Sequence, residues 1–351
     1  MAERQIGQLS FTDGLVNEAA RANASLQRMA ELVDWPAIEA LLSGLRSGSM
    51  GAPGYPALAL FKALLLQQWY GLSDPGLEEA LLDRLSFRRF LGLSLSEPVP
   101  DHSTLWRFRE QLAKSGLAER AFSLITAQIE KSGFVLKRGT LIDASLVRSA
   151  VNPPEPPDGA LSPDPDGRPA SKLVKSPHDP DATWTRKENK YFFGYKMHVG
   201  MDQDSRIIRR LDFTPANVND TVVADALICG DEATVYADKA YDSQVRRARL
   251  KAMGIRDGIM RRNGRWHRLG AWAVRRNAVL RHRRAPVEPL FALLKRVYGV
   301  AYGRTLRPYA FSVSKNRTGS PVDGVATSPC HITRLPRTKV PTGQPVTHTP
   351  S

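Results

Sequence analysis

Cysteine is nearly missing from this sequence. Cys229 and Cys330 stand far apart in 351 residues, with no CxxC and no Cys/His spacing around them. That excludes a disulfide framework and argues against a structural zinc site. Long hydrophobic runs are missing too. The most apolar stretch, residues 57–66, is short and interrupted by Lys62, whereas a membrane span needs about 20 apolar residues. The opening residues, Met1-Ala2-Glu3-Arg4-Gln5, lack the apolar segment of a signal peptide. These absences point to a reducing, cytoplasmic location without a membrane partner. Hydrophobic content of 42% and charged content of 24% are ordinary for a globular chain, and the length suits about two domains.

Acidic residues are scarce in one place. Residues 245–310 hold 18 lysines and arginines against two acids, Asp257 and Glu288, a net of +16 in a chain whose total is +15. The excess is therefore a local patch, and the rest of the chain is close to neutral. Such a patch suits a polyanion, most simply nucleic acid, whose phosphates would supply much of the affinity. A solvated basic face has the same composition. A membrane-surface role is disfavoured, because no long amphipathic helix accompanies the charge.

Glu288 stands alone among these cations and needs a reason. Pro286 and Pro289 suit a first helical turn. Val287, Leu290, Phe291, Leu294 and Val297 then recur at helical spacing and form a stripe to bury. At about 100° per residue Lys295 returns to within about 20° of Glu288, so the two share a face off that stripe. Arg284 falls just ahead of the same face. A glutamate in a first turn also complements the helix dipole with no further role. Two other carboxylates extend the argument: Asp143 lies inside the β-type run 140–147, and Asp238 ends the run 233–237. An acid in such a run is costly without a metal or a partner. Asp242, close to Asp238, reads as the N-cap of the next helix. Three converging carboxylates suit two-metal phosphoryl transfer, since magnesium takes few protein ligands and many substrate oxygens.

The pattern around these acids divides the chain. Residues 1–135 read as an all-α N-terminal domain, with a helix from Pro56 to the turn at Gly71 and another opening after Asp101. Arg84, Arg88, Arg89, Arg107, Arg109 and Lys114 fall on or beside its outward faces. That is compatible with a helix-turn-helix module that binds DNA and equally with a plain helical scaffold. Residues 136–310 then read as strand, hairpin, helix, strand, helix, strand and the Glu288 helix, the order of an RNase H-like α/β fold. Between its first two strands, residues 151–190 carry nine prolines from Pro153 to Pro180 and read as a loop insertion that cannot order itself. Order is expected to resume near residues 181–187. Residues 311–351 show no periodicity and read as a disordered or frameshifted tail.

Several motifs fall into place together: Pro56-Ala57-Leu58 through Gly71-Leu72-Ser73-Asp74, Leu85-Ser86-Phe87-Arg88-Arg89-Phe90, Pro100-Asp101-His102-Ser103-Thr104, Tyr236-Ala237-Asp238-Lys239-Ala240-Tyr241, and Arg284-x3-Glu288-x6-Lys295. With them the chain resembles the DDE transposases of bacterial insertion sequences, specifically the insertion-sequence-five family. The resemblance implies that Asp143, Asp238 and Glu288 bind two magnesium or manganese ions and are catalytic, with Arg284 and Lys295 on phosphate. It implies DNA partners, the element's terminal inverted repeats and the target, a homo-oligomeric complex, and a nucleoid-associated place in the cytoplasm. The implied reaction cleaves DNA at the element ends and joins the exposed 3′-hydroxyls to target DNA. Trp266 and His267 could stack on distorted bases or pack in the core. One position departs from the signature: three residues before Arg284, where the family has Tyr, stands Arg281. A nuclease of the same fold that does not join DNA, and a DNA-binding remnant or repressor, are the competing readings.

Overall fold

The computed structural model describes residues 4–8, 24–45, 54–151, 176–187, 190–264, 268–296 and 298. Its first part is helical: α1 (Ala24–Leu32), α2 (Trp35–Leu42), α3 (Ala57–Tyr70), α4 (Asp74–Asp83), α5 (Leu85–Leu91), α6 (His102–Lys114) and α7 (Leu117–Lys131). Short side chains start these helices where the sequence offers them. Asp34 accepts from the Ala37 amide at 3.3 Å, Ser73 from Gly76 at 3.1 Å and Asp101 from Thr104 at 2.6 Å, each satisfying an amide the helix leaves free. The apolar run at 57–66 becomes α3, buried through Leu60, Phe61, Ala63 and Leu66 against Ile38, Leu77, Leu81 and Leu105. Among the described residues no helix is long and apolar enough to cross a membrane.

Two of the arginines expected on outward faces point in. Arg88 is buried and donates to the carbonyls of Leu81, Ser94, Leu95 and Glu97. Arg109 binds the Asp74 carboxylate and donates to Gln67 Oε1 at 2.8 Å. A guanidinium presents five donors in a fixed fork, so one side chain closes several carbonyls at a turn that hydrophobic contacts leave open. Arg107 stays on the surface, bonded to Ser103 one turn back.

The second part is a sheet of β1 (Thr140–Arg148), β2 (Thr183–Lys187), β3 (Lys190–Asp202), β4 (Ile208–Pro215), β5 (Thr234–Ala237) and β6 (Arg256–Ile259). From one edge the order is β6, β5, β1, β3, with β2 and β4 following one another along β3. β1 runs antiparallel to β3 and parallel to β5, and β5 runs parallel to β6. This mixed sheet after a helical region is the expected RNase H-like architecture. Alternation sorts its side chains onto two cores. Leu141, Val147, Val199 and Tyr236 face Leu280, Val287 and Phe291, while Ile142, Val235 and Ala237 face Leu227, Tyr241 and Leu250. The covering helices are α8 (Asp220–Val223), α9 (Gln244–Ala252), α10 (Ala271–Arg284) and α11 (Val287–Arg296).

Three expectations change. Within 151–190, order at 183–187 was expected and forms β2, but residues 176–180 are also built into the fold, where buried Asp179 accepts from Ser149 and Tyr195. Helix α10 was not expected, because Leu280 is its one buried apolar side chain and leaves no stripe to read. The Glu288 helix follows it, beginning beside Pro286 as expected. The N-cap of α9 is Ser243, not Asp242. The Asp242 carboxylate instead lies 3.5 Å from both Arg247 and Arg261 and accepts from the Arg262 amide at 3.0 Å. The proline-rich residues 152–175, Trp266 and His267, and the tail at 311–351 lie outside the described residues.

Helix α7 meets the sheet through charge. Arg209 of β4, with its side chain 2% exposed, sits 2.8 Å from Glu130 of α7 and 2.8 Å from Asp231. Lys137 completes the group at 2.6 Å from Asp231 and 3.5 Å from Glu130. Removing one member of a buried ion pair strands the others. Arg209→Met is therefore expected to lower stability by roughly 2–3 kcal/mol, the upper range of such losses being reduced by the partial exposure of the two acids. Urea denaturation followed by circular dichroism measures this, and a loss within 0.5 kcal/mol, as estimated for about any surface change, would count against a joining role.

Candidate active site

The last paired rung between the parallel strands β1 and β5 is Ile142 with Ala237. The next residue on each chain is an aspartate, Asp143 within β1 and Asp238 just past the end of β5, so two carboxylates stand one rung beyond the last pair. Alternation puts them on the face of Leu141 and Tyr236, the side covered by α10 and α11. Backbone amides orient both: Asp143 Oδ1 accepts from Ala144 at 2.9 Å and Asp238 Oδ1 from Lys239 at 2.6 Å.

Arg284, the last residue of α10, reaches both acids. Its Nη2 lies 3.1 Å from Asp143 Oδ2 and its Nη1 3.8 Å from Asp238 Oδ1. The preceding residue anchors that turn of helix. Arg283 donates to the Tyr236 hydroxyl at 3.0 Å and lies over its ring. The ring in turn needs glycine on both sides, just before β1 and within β6, since a Cβ at Gly139 or Gly258 would come within 2.7 or 2.6 Å of it. Burial pushes the Asp143 carboxyl above its ordinary range. Arg284 and the Ala144 amide oppose that, Asp238 and Asp220 reinforce it, and the net shift is upward.

Glu288 opens α11, exposed, four residues beyond Arg284 and across the break between the helices. It lines a cleft of about 1210 Å³ together with Asp238, Met260, Arg261, Arg262, Arg268, Arg281 and Arg284. The structure thus brings Asp143, Asp238 and Arg284 into contact and sets Glu288 in the wall of the same cleft. Lys295 is not among the residues that line this cleft. It is half-buried, and its ammonium is held below the usual lysine range by burial and by the neighbouring charge of Lys187, at the end of β2.

Carboxylate oxygens are suitable donors for magnesium or manganese, and a cation already lies between Asp143 and Asp238. The donor chemistry therefore fits a divalent ion at these two acids. Among the described residues, however, no three Asp, Glu, His or Cys side chains approach closely enough to hold one, so Glu288 stands in the cleft wall without completing such a group. The sequence pattern also passed over Asp220, whose charge acts on Asp143. Its position beside the cap Asn219 gave it an adequate local explanation.

The fold is a helical region followed by a mixed α/β domain of RNase H-like architecture, consistent with a DDE domain. Comparison with known families agrees: residues 16–111 match a transposase domain (DUF772) and residues 136–305 match a transposase DDE domain. The chain thus carries a transposase DDE domain behind a transposase domain of the DUF772 kind, and DNA transposition is the function that these families imply. No solved structure matches it.

Arg284 offsets the repulsion between two aspartates, so its effect must depend on their charge. Arg284→Gln should destabilise the fold, and Asp143→Asn should remove most of that loss in the double variant. A coupling of about 1–2 kcal/mol is expected. A thermodynamic cycle by chemical denaturation gives this number, and additive losses would mean that the pair does not act as one.

Proposed function

We propose that the protein is a transposase of the insertion-sequence-five type. It binds the terminal inverted repeats of its element, cleaves the DNA at the element ends and joins the 3′-hydroxyls to target DNA. In this reading Asp143, Asp238 and Glu288 are the catalytic carboxylates, and Arg284 and Lys295 contact phosphate. Residues 1–135 serve as the end-binding domain and residues 136–310 as the catalytic one, working as a homo-oligomer that holds two ends. The observation that carries the proposal is the in-register pair Asp143 and Asp238, held by Arg284 at the head of a cleft walled by Glu288 and arginines.

Two divalent ions bound by these acids would supply Lewis-acid stabilisation and an activated attacking oxygen. The chain's own residues do the rest. Among the described residues Arg262, Arg268 and Arg281 make no ion pair, so they are free to take backbone phosphates along the cleft. Arg281, where the family signature has Tyr, adds a cation one turn before Arg284. A phosphate arriving beside Arg284 competes with Asp143 for the guanidinium and so releases the carboxylate as DNA enters. Glu288, exposed at the cleft wall, comes within reach of that same phosphate. Lys295 and Lys187 offer two ammonium groups where the strand leaves the site.

A second reading is favoured by the position of Glu288, which does not join the other two acids in one close group. It makes the protein a DNA-binding remnant without catalysis. The separating experiment is cleavage of a labelled duplex carrying the terminal repeat, in magnesium or manganese, with strand transfer scored on paired ends. Asp143→Asn and Glu288→Gln should each lose more than about a hundredfold in cleavage, beyond the 10–100-fold seen when a group merely supporting a metal ligand is removed, while still binding the duplex. Retained binding with no cleavage by the unmodified protein would select the remnant. Cleavage without joining would select a nuclease. Arg281→Gln should flatten the logarithmic salt dependence of binding by about one phosphate contact, a change that titration from low to moderate salt resolves. An unchanged slope would take Arg281 off the DNA path.

A further inference from the structure

One part of the sheet reaches past the rest. β1 pairs with β3 from Asp202 back to Gly194, and β4 from Met201 back to Tyr195. The Phe193 carbonyl still takes the Ser149 amide at 3.0 Å. From Phe192 outward β3 pairs with β2 alone among the described residues, through Thr185–Phe192, Arg186–Tyr191 and Lys187–Lys190. A bare hairpin is marginal in water. This two-stranded ribbon is held at its base, where buried Trp184 and Phe193 lie 5.4 Å apart and pack with Ala182 and Tyr195. Glu188 and Asn189, which join its strands, lie outside the described residues.

Beyond that base the ribbon is basic and aromatic. Arg186, Lys187, Lys190 and Tyr191 are all exposed. Arg186 lies over the Tyr191 ring at 5.6 Å, and Arg148, the last residue of β1, lies over Phe192 at 5.5 Å, so both guanidiniums are placed by an aromatic face. Lys187 and Lys190 stand directly opposite one another, and neither makes an ion pair among the described residues. Like charges in that register destabilise a strand pair. The pair therefore costs the hairpin stability, and an anion beside it would remove the repulsion.

The ribbon also has a direction. Alternation along β3 sets Tyr191 on the side of Val199, the residue paired with Asp143, and Arg186 follows Tyr191 to that side. Nine residues lead from Lys190 to Val199. At about 3.4 Å per residue the end of the ribbon is up to about 30 Å from the carboxylates, the length of about nine base pairs.

We propose that the β2–β3 ribbon is a second contact for duplex DNA, entering the major groove within about nine base pairs of the carboxylates, with Lys187 and Lys190 on the phosphates that rim it. Arg186 and Tyr191 then face the groove. The proposal rests on the reading of DNA as the partner of this chain.

The test is binding of the full chain to a duplex carrying the terminal repeat, titrated from low to moderate salt, for the unmodified protein, Lys187→Gln/Lys190→Gln and, on the opposite side of the sheet, Lys251→Gln. The ribbon variant should lower the logarithmic salt slope by about two phosphate contacts and melt at the same temperature or higher, since a like-charge pair is gone. Lys251→Gln should keep the full slope. An unchanged slope in the ribbon variant, or an equal loss in Lys251→Gln, would overturn the proposal. So would a lower melting temperature, because the lysines would then serve the hairpin itself. Lys190→Cys carrying a photoactivated crosslinker should mark nucleotides within about nine base pairs of the repeat end, above the level of the equally treated unmodified chain; marks spread evenly along the duplex, or stronger capture of single strands, count against a seated ribbon. If the unmodified protein does not bind the duplex, the DNA reading itself fails, whereas binding that ignores the ribbon sinks this proposal alone.

Discussion

Two like charges one rung beyond the last pair of neighbouring parallel strands repel, and the structure around them answers that repulsion. Parallel strands are about 4.8 Å apart, so two partly buried aspartates placed there call for a cation between them. Arg284 is that cation. Its helix has little apolar surface to hold it in place, and polar bonds do so instead. Arg276 donates to the carbonyls of Ile259 and Asp257 at 2.8 and 2.6 Å. Asn277 exchanges two bonds with the Arg261 backbone, at 2.8 and 3.0 Å, and Arg283 takes Tyr236. A helix fixed in this way delivers one guanidinium to one place.

That mode of attachment explains what could be read in advance. Asp143 and Asp238 were legible because each breaks an apolar β-type run, where an acid demands a reason. Those runs also carried the order of strands and helices along the chain. Helix α10 was not legible, since arginine-to-carbonyl bonds have no period and only Leu280 is buried. With α10 unseen, Arg284 read only as a residue just ahead of the Glu288 helix, whereas it ends a helix of its own before the break at Ala285 and Pro286. The shared face of Glu288 and Lys295 follows from geometry within α11, but a shared face does not imply a shared partner, and Lys295 lies by Lys187. Arg88 and Arg109 teach the same lesson among the helices. A charged residue at an outward-looking position can turn in whenever a turn leaves carbonyls open.

The basic patch therefore divides into two populations. Arg246, Arg261 and Arg276 are spent inside the fold, against Asp225, Asp242 and Asp257 and against backbone carbonyls. Arg262, Arg268 and Arg281 face the cleft. Counting charge along the sequence located the patch but overstated the part of it that can meet DNA, because counting cannot tell a cation that closes a turn from one that faces solvent.

Within this positive region burial still pushes the Asp143 carboxyl above its ordinary range. Burial, Asp238 and Asp220 together outweigh Arg284, so a single fixed guanidinium does not balance the site. Moving more arginines nearby would not help, since each needs its own hydrogen-bonding neighbours and room for a planar fork. A small divalent ion concentrates twice the charge at one point and binds carboxylate oxygens directly. On the proposed reading the same imbalance gives Arg284 a reason to leave, since a phosphate would offer it a more exposed anion while a divalent ion took the carboxylates. DNA entry and metal binding would then favour one another, because each frees the group that the other takes.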